Sequence, residues 1–458
     1  MSNAIVLQAL REAGRQPALP FEIALPNGGW LSFTHLLRLL PGRRLAGEAV
    51  WNGQKVFAKL FFGKDALRHG ERERAGLAAV QAAALPTPAV RFAAAIADGG
   101  YLVLSEFLDG ALALDEGKLP ADDPQILQPA MALLGRLHAA GLIHQDLHPG
   151  NFLRHGDRLL LIDGDGVRSG ASPAAQADNL ALFLAQLTPD WDVRQGVLLQ
   201  AYGRPVDAAA LALAVDAARQ HRLRHFLAKT VRDCSQFAVD RDFRRLAVVL
   251  REEQAALQPL LADPDAAVAA GRLLKDGGTC TVAAAEVAGR QLVIKRYNLK
   301  HWRHALSRAW RPSRAWHSWQ AAHRLLFFGI ATPLPLALIE ERAGPLRGRA
   351  FLVAEHCPGD NLLETLDPAQ EPLPAIGQAL LRLFSTLHRL KISHGDLKAT
   401  NLLWHAGRIV LIDLDALVQH RSERSFRRAW QRDRARLLRN WPGESPLVQW
   451  LDHALPAA

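Results

Sequence analysis

Apolar residues recur at Ile126, Ala130, Leu133, Leu134 and Leu137, and again at Ile376, Leu380, Leu383, Phe384 and Leu387. Both sets keep the helical period, so each half of the chain is expected to hold an amphipathic helix with one buried stripe. After each helix comes a short polar loop, then two apolar runs around a turn: "NFLRHGDRLLLID" from Asn151 and "NLLWHAGRIVLID" from Asn401. That pattern predicts a hairpin in each half. Upstream, "AVWNGQKVFAKLFF" reads as two strands around Asn52-Gly53, and "AAAEVAGRQLVIKRY" does the same. Lys59 and Lys295 fall on the second strands. The stretch from about Leu180 to Asp263 is rich in Ala, Leu and Arg and reads as helical, finishing the first half.

The halves are one pattern written twice. A constant offset of 250 positions relates Asp146 to Asp396, Asn151 to Asn401 and Asp163 to Asp413. Leu137-His138 and Leu387-His388 keep the same register. The period is far longer than that of a solenoid, so the chain is expected to be a duplicated domain. "ADPDAAVAAG" and "KDGG" mark a boundary, giving expected domains of residues 1–262 and 263–458.

The repeated residues form a chemical set. Phosphoryl transfer needs in-line positioning and charge neutralisation more than covalent work. A strand lysine can hold nucleotide phosphates, and a loop aspartate can orient or deprotonate a hydroxyl. An asparagine five residues on and an aspartate beyond the hairpin can hold Mg²⁺ between phosphates. Lys59, Asp146, Asn151 and Asp163 supply this set once; Lys295, Asp396, Asn401 and Asp413 supply it again.

With "HQDLHPGN" and "HGDLKATN" the chain resembles two tandem protein-kinase-like domains, in which H-x-D-L-x-x-x-N precedes a metal-binding aspartate. The resemblance implies an α+β fold with two bilobal domains, each a small β-rich N-lobe and a helical C-lobe. It implies ATP and Mg²⁺ as cofactors, Asp146 and Asp396 as catalytic bases, and Asn151, Asp163, Asn401 and Asp413 as metal ligands. Lys59 and Lys295 would bind ATP phosphates. "SEFLDG" around Glu106 and "AEHCPGD" around Glu355 resemble the hinge that takes adenine. In the first half Glu73 stands where the helix glutamate pairs with the strand lysine; in the second half that register holds Ser318. Neither half has a clean glycine-rich loop, "PGRRLAGE" and "KDGGTCTVAA" being the nearest. The usual D-F-G reads "DGDG" and "DLDA".

"WHSWQAAHRLLFFGIATPLPLALIEER", "HGDLKATNLL" and "DRARLLRNW" resemble the bacterial lipopolysaccharide kinase family. That resemblance implies a kinase acting on a sugar hydroxyl of the lipopolysaccharide core, on the cytoplasmic side of the inner membrane. Nothing reads A-P-E after either second aspartate, and few residues follow Asp413, which suits a small or glycolipid hydroxyl better than a peptide. "HQDLHPGN" is equally similar to small-molecule phosphotransferases of the aminoglycoside and choline type. A tandem pseudokinase scaffold for envelope assembly is a third reading, supported by Ser318 and the missing glycine-rich loops.

Charge narrows the partners. A net charge of +10 and a pI near 9.9 favour an anionic one: phosphorylated substrate, nucleic acid or acidic lipid. From Val287 to Ile339 there is no acidic residue, while Arg290, Lys295, Arg296, Lys300, Arg303, Arg308, Arg311, Arg314 and Arg324 occur among Trp302, Trp310, Trp316 and Trp319. This segment suits an anionic glycolipid or an acidic membrane surface. Nucleic acid has no accompanying fold motif. No apolar run reaches the length of a membrane span, and Arg11, Glu12 and Arg15 interrupt the opening stretch, so a cytoplasmic protein, peripheral to the membrane at most, is expected. Cys234, Cys280 and Cys357 lie too far apart for a metal clip. His144 and His394 are expected to brace their loops, His148 to be local to the first half, and Lys398 to meet either a transferred phosphate or solvent.

Overall fold

The alternating runs upstream of each lysine fold as two-residue hairpins. Asn52 and Gly53 take φ of 49° and 73°, and Ala288 and Gly289 take 50° and 74°. Two successive positive φ values match the twist of the flanking strands, which is why Asn-Gly serves well there. The computed structural model describes residues 3–114, 123–298, 312–344 and 346–457. It divides into two units, one comprising Met1–Leu187 and Trp191–Arg219, the other Thr188–Asp190 and Gln220–Ala458.

In the first unit, strands β1 (Phe21–Ala24), β2 (Trp30–Leu40), β3 (Arg44–Trp51), β4 (Gln54–Phe61), β5 (Val90–Ile96) and β6 (Gly100–Glu106) form an antiparallel sheet. Its order is β1-β2-β3-β4-β6-β5. Helix α1 (Ala66–Ala82) lies between β4 and β5 in the chain, and its Leu77 packs with Phe61, Tyr101 and Val103 of the sheet. A separate helical core follows. Helix α2 (Gln128–Ala139) presents Ala130, Leu133, Leu134 and Leu137 to Phe152, Leu161 and to Phe183 of helix α3 (Pro173–Leu184). Each fully buried Leu or Phe there contributes about 1.5–3 kcal/mol, so the stripe fixes the helix's rotation.

The second unit builds a larger sheet. Strands β7 (Phe237–Arg241), β8 (Arg245–Leu250), β9 (Arg272–Gly277), β10 (Cys280–Val287), β11 (Arg290–Tyr297), β12 (Pro335–Ala343) and β13 (Leu346–Glu355) run in the order β7-β8-β12-β13-β11-β10-β9. Helix α4 (Arg314–Phe327) packs on it through Ala315 and Trp319. Helix α5 (Pro374–Arg389) then buries Ile376, Leu380, Leu383, Phe384 and Leu387 against Leu402, Leu411 and Trp430. Trp430 belongs to helix α6 (Glu423–Leu438).

The helical reading of the stretch before Asp263 holds only in part. Helices run to Lys229, but β7 and β8 follow, and β8 pairs with β12 from Arg245↔Glu341 to Val249↔Ala337. Both strands lie in the second unit, which takes up the chain from Gln220. "FAVDRDFRRLAVVL" carries the missed signal: β-branched residues on both sides of a short charged turn, masked by the Ala- and Leu-rich helices before it.

Candidate active site

In the first unit Lys59 sits mid-strand on β4, opposite Ala46 and Val103. Its ammonium donates to Glu73 Oε1 at 2.6 Å and to Asp163 Oδ1 at 2.9 Å. Glu73 lies on α1, 1% exposed, and its other oxygen accepts from the Asp165 amide at 3.0 Å. One carboxylate thus ties strand, helix and aspartate turn together. Burial works against charge on Lys59, yet Glu73 and Asp163 together raise its pKa. Burial likewise opposes ionisation of Asp163, but Lys59 holds its carboxyl well below the usual range. Such a mutual pairing keeps both groups charged and aimed.

The turn packs close because it is glycine-lined. A Cβ on Gly76 of α1 would fall 1.9 Å from the Gly164 carbonyl oxygen, and one on Gly164 would fall 2.2 Å from that of Glu73. Asp163 itself takes φ 73°, ψ 73°, and its counterpart Asp413 takes φ 58°, ψ 60°. Both aspartates sit in the left-handed region.

The second unit solves the lysine problem differently. Lys295 on β11 donates to Asp413 Oδ1 at 2.5 Å and to Asp415 Oδ1 at 2.8 Å. Ser318 occupies the helix register of Glu73, and its hydroxyl donates to Asp415 Oδ1 at 2.7 Å. The Tyr297 hydroxyl and the Arg314 guanidinium also donate to Asp415, at 2.7 and 2.5 Å. Asp415 is thus the missing acid, supplied from the turn instead of the helix. Burial resists its ionisation, but Lys295 and the hydroxyls of Tyr297 and Ser318 bring its pKa down. Lys295 shows the reciprocal rise against its own burial, through Asp415 and Asp413. In the first unit the matching Asp165 pairs instead with His69, Arg72 and Arg44, at 2.9, 3.1 and 3.9 Å.

Each loop is stitched to its aspartate turn. In the first unit Leu142–His144 pairs antiparallel with Val167–Ser169, and the Gln145 amide donates to Gly166 O at 2.8 Å. The buried His144 ring donates from Nε2 to the Asp163 carbonyl at 2.7 Å. His394 does the same to Ile412 at 3.0 Å. Both histidines brace their loops, as expected. Asp146 and Asp163 both act electrostatically on His148, whose pKa burial lowers; Asp396 and Asp413 both act on His394, also lowered by burial.

Two braces escaped the sequence reading. Asn179 of α3 accepts from the His144 amide at 3.2 Å and donates to its carbonyl at 2.7 Å. Asp433 of α6 accepts from the amides of His394, at 2.6 Å, and Gly395, at 3.0 Å. Burial raises the Asp433 pKa. The signal was an acid on the apolar stripe Phe426, Trp430, Leu437 of a helix otherwise patterned for the core.

Asp396 is held by two cations. Lys398 Nζ donates to Oδ2 at 3.0 Å, and Arg436 of α6 pairs with Oδ1. Burial opposes ionisation, and Lys398 and Arg436 outweigh it to lower the pKa. Asp146 is exposed, and its neighbour at the Lys398 position is His148. Asn401 donates Nδ2 to the Asp396 carbonyl at 2.8 Å, so its amide oxygen points away from the loop backbone. Asn151 instead accepts through Oδ1 from the His148 amide at 2.9 Å. Glu106 and Glu355 are the last residues of β6 and β13, where each sheet gives way to the helical part.

A magnesium ion fits the donor chemistry, most openly in the second unit. Asp413 and Asn401 offer hard oxygens, and among the described residues no group of three acidic, histidine or cysteine side chains forms a cage. Mg²⁺ characteristically takes one or two protein oxygens and completes its shell with phosphate and water.

The basic segment disperses. Arg290 pairs with Glu253, Arg296 with Asp265 at 2.9 Å, and Arg314 with Asp415. Trp319 is fully buried and Trp316 faces Arg347. Lys300, Trp302, Arg303, Arg308, Trp310 and Arg311 lie outside the described residues.

With this geometry stands a match over the second unit. The model of the lipopolysaccharide kinase (Kdo/WaaP) family matches residues 269–451. That family is one of phosphotransferases acting on sugar hydroxyls, the class of enzyme this unit resembles. Among solved structures, WaaP in complex with acyl carrier protein is similar at 20% identity, over 41% of this chain and 87% of that one, with a TM-score of 0.32. Vaccinia related kinase 3 is similar at 13% identity, over 37% and 60%, with a TM-score of 0.28. No curated protein matches. Among the described residues no helix is long and apolar enough to cross a membrane.

Proposed function

We propose that the chain is an ATP-dependent kinase of the lipopolysaccharide core, built as two tandem bilobal kinase-like domains and working on the cytoplasmic side of the inner membrane, peripheral to it at most. The observation that carries the reading is the second unit's set of Lys295, Asp396, Asn401 and Asp413, lying inside the Kdo/WaaP match. Lys295, held by Asp413 and Asp415, would neutralise the nucleotide phosphates. Bound Mg²⁺, held by Asp413 and Asn401, would supply charge neutralisation between phosphates. Asp396, ionised beside Lys398 and Arg436, would orient the acceptor hydroxyl more than strip its proton, since its lowered pKa makes it a weak base. Glu106 and Glu355 mark the strand ends from which hinge backbone would take adenine.

The test is transfer of labelled γ-phosphate from Mg-ATP to isolated core glycolipid. Label appearing on the glycan supports the reading; nucleotide binding without transfer, by either unit, would point to a scaffold. One observation favours a second activity. The first unit keeps Lys59 bonded to both Glu73 and Asp163, which suits a nucleotide site able to serve a small hydroxyl compound. Label on a soluble aminoglycoside or amino alcohol in place of glycolipid would move the assignment there.

A further inference from the structure

Helix α6 carries Arg424, Arg428, Arg432 and Arg436 at strict four-residue spacing. Such a row is a ridge that winds about a third of a turn around the helix over roughly 18 Å. Like charges at this spacing repel, and Arg424 in the first turn also opposes the helix dipole. The row is thus costly for the fold.

The acids nearby do not offset it. Glu423 pairs with Arg427 and Lys391, and Asp452 pairs with Arg434, all off the ridge. Asp433 is turned inward onto the catalytic loop. Arg424, Arg428 and Arg432 are exposed, and no acidic side chain pairs with them among the described residues. The fourth arginine ends the row at Asp396 itself and also donates to the Gly395 carbonyl at 3.3 Å. The ridge leads from open surface to the carboxylate that would face the acceptor.

The first unit provides the control. Its helix α3 braces the loop through Asn179 as α6 does through Asp433, yet α3 holds no basic residue. Counted from those braces, Arg428, Arg432 and Arg436 correspond to Ala174, Asp178 and Leu182. The row is therefore no requirement of bracing a loop.

We infer that the Arg424–Arg428–Arg432 ridge docks the phosphates and carboxylates of an anionic glycan, delivering one of its hydroxyls to Asp396. The inference rests on the phosphotransfer reading for its direction. The occupant is the glycan's own anionic groups, because the row ends at a catalytic loop and not on an apolar face that would enter lipid.

The test uses the full chain and its R424Q/R428Q/R432Q variant, with deacylated, phosphorylated lipopolysaccharide core as probe in calorimetry. Binding by the variant should be weaker by on the order of tenfold to a hundredfold at low salt, with the gap closing as salt is raised. Phosphatase-treated core, left with its carboxylates alone, should bind wild type more weakly and narrow the gap to the variant. Arg427→Gln, off the ridge and paired with Glu423, should bind as wild type. An unchanged Mg-ATP thermal shift shows that the triple variant is folded. Equal binding of phosphorylated core by both proteins overturns the inference. So does loss confined to vesicles of phosphatidylglycerol, which would assign the ridge to lipid. Binding is read without turnover, so absence of phosphate transfer by wild type would sink the kinase reading and leave the ridge decided by affinity.

Discussion

Lys59 and Lys295 occupy the same place on corresponding strands, but the charge that holds each comes from a different element. Glu73 reaches down from α1, whereas Asp415 reaches up from the turn beyond Asp413, and Ser318 donates a hydrogen bond to Asp415 where Glu73 has a carboxylate. A strand ammonium buried beside a turn aspartate needs a second anion to stay charged and aimed, and either neighbour can provide it. The lesson is that the requirement is electrostatic, not positional. A missing helix glutamate does not by itself mark a dead site.

The sharpest way to break this comparison is to remove the loop carboxylates one at a time. Asp396→Asn should reduce phosphate transfer to core glycolipid by about 10²–10⁴-fold, while Asp146→Asn should leave it nearly unchanged. The reverse result, in labelled-phosphate assays on the full chain, would move the chemistry to the first unit. Next in size, Asp415→Asn should lower kcat by about 100-fold by letting Lys295 drift. Asp165→Asn, at the matching place, leaves the Lys59–Glu73 pair intact. Adding Ser318→Glu to Asp415→Asn should recover most of the loss by recreating the first unit's arrangement; no recovery would show that Asp415 does more than position the lysine.

Gly76→Ala should cost about 1–3 kcal/mol in the first unit, because its new carbon collides with the Gly164 carbonyl. Ala321 stands in that register in the second unit, where Leu414 replaces Gly164, so Ala321→Gly should not tighten anything. Urea melts of both variants check this.

The smallest effect concerns pH. Burial lowers the His323 pKa to about 3, its ring packed 4.4 Å from Trp319 and 5.2 Å from Phe237. Between about pH 6.5 and 3 the unfolded chain binds the proton that the folded one refuses, so stability should fall as pH drops through that window. His323→Phe should flatten this slope when urea midpoints at pH 7.5 and 5 are compared. An unchanged slope would assign acid sensitivity to other groups.

Much of this was legible because duplication tests itself: a lysine, two aspartates and an asparagine in register twice leave little room for accident. The stripes on α2 and α5 and both hairpins followed from period and turn chemistry. What stayed hidden depended on tertiary approach. Asp415 lies two residues past a motif aspartate and looks like a solvent acid until Tyr297, Ser318 and Lys295 converge on it. The strands β7 and β8 were lost beneath alanine-rich helices, because composition averages over a window longer than either strand. The basic segment running into α4 promised a dock, but its Arg290, Arg296 and Arg314 spend their charge on Glu253, Asp265 and Asp415.

The backbone of Asp163 and Asp413 bears on how inactive versions of this protein should be made. Alanine at either place would have to hold a left-handed conformation that costs most residues about 1–2 kcal/mol, while asparagine visits it readily. An alanine knockout thus blends a lost carboxylate with a relaxed bend, and a pull-down or crystal of such a version would report on an altered cleft. Asparagine removes the charge and leaves the bend alone.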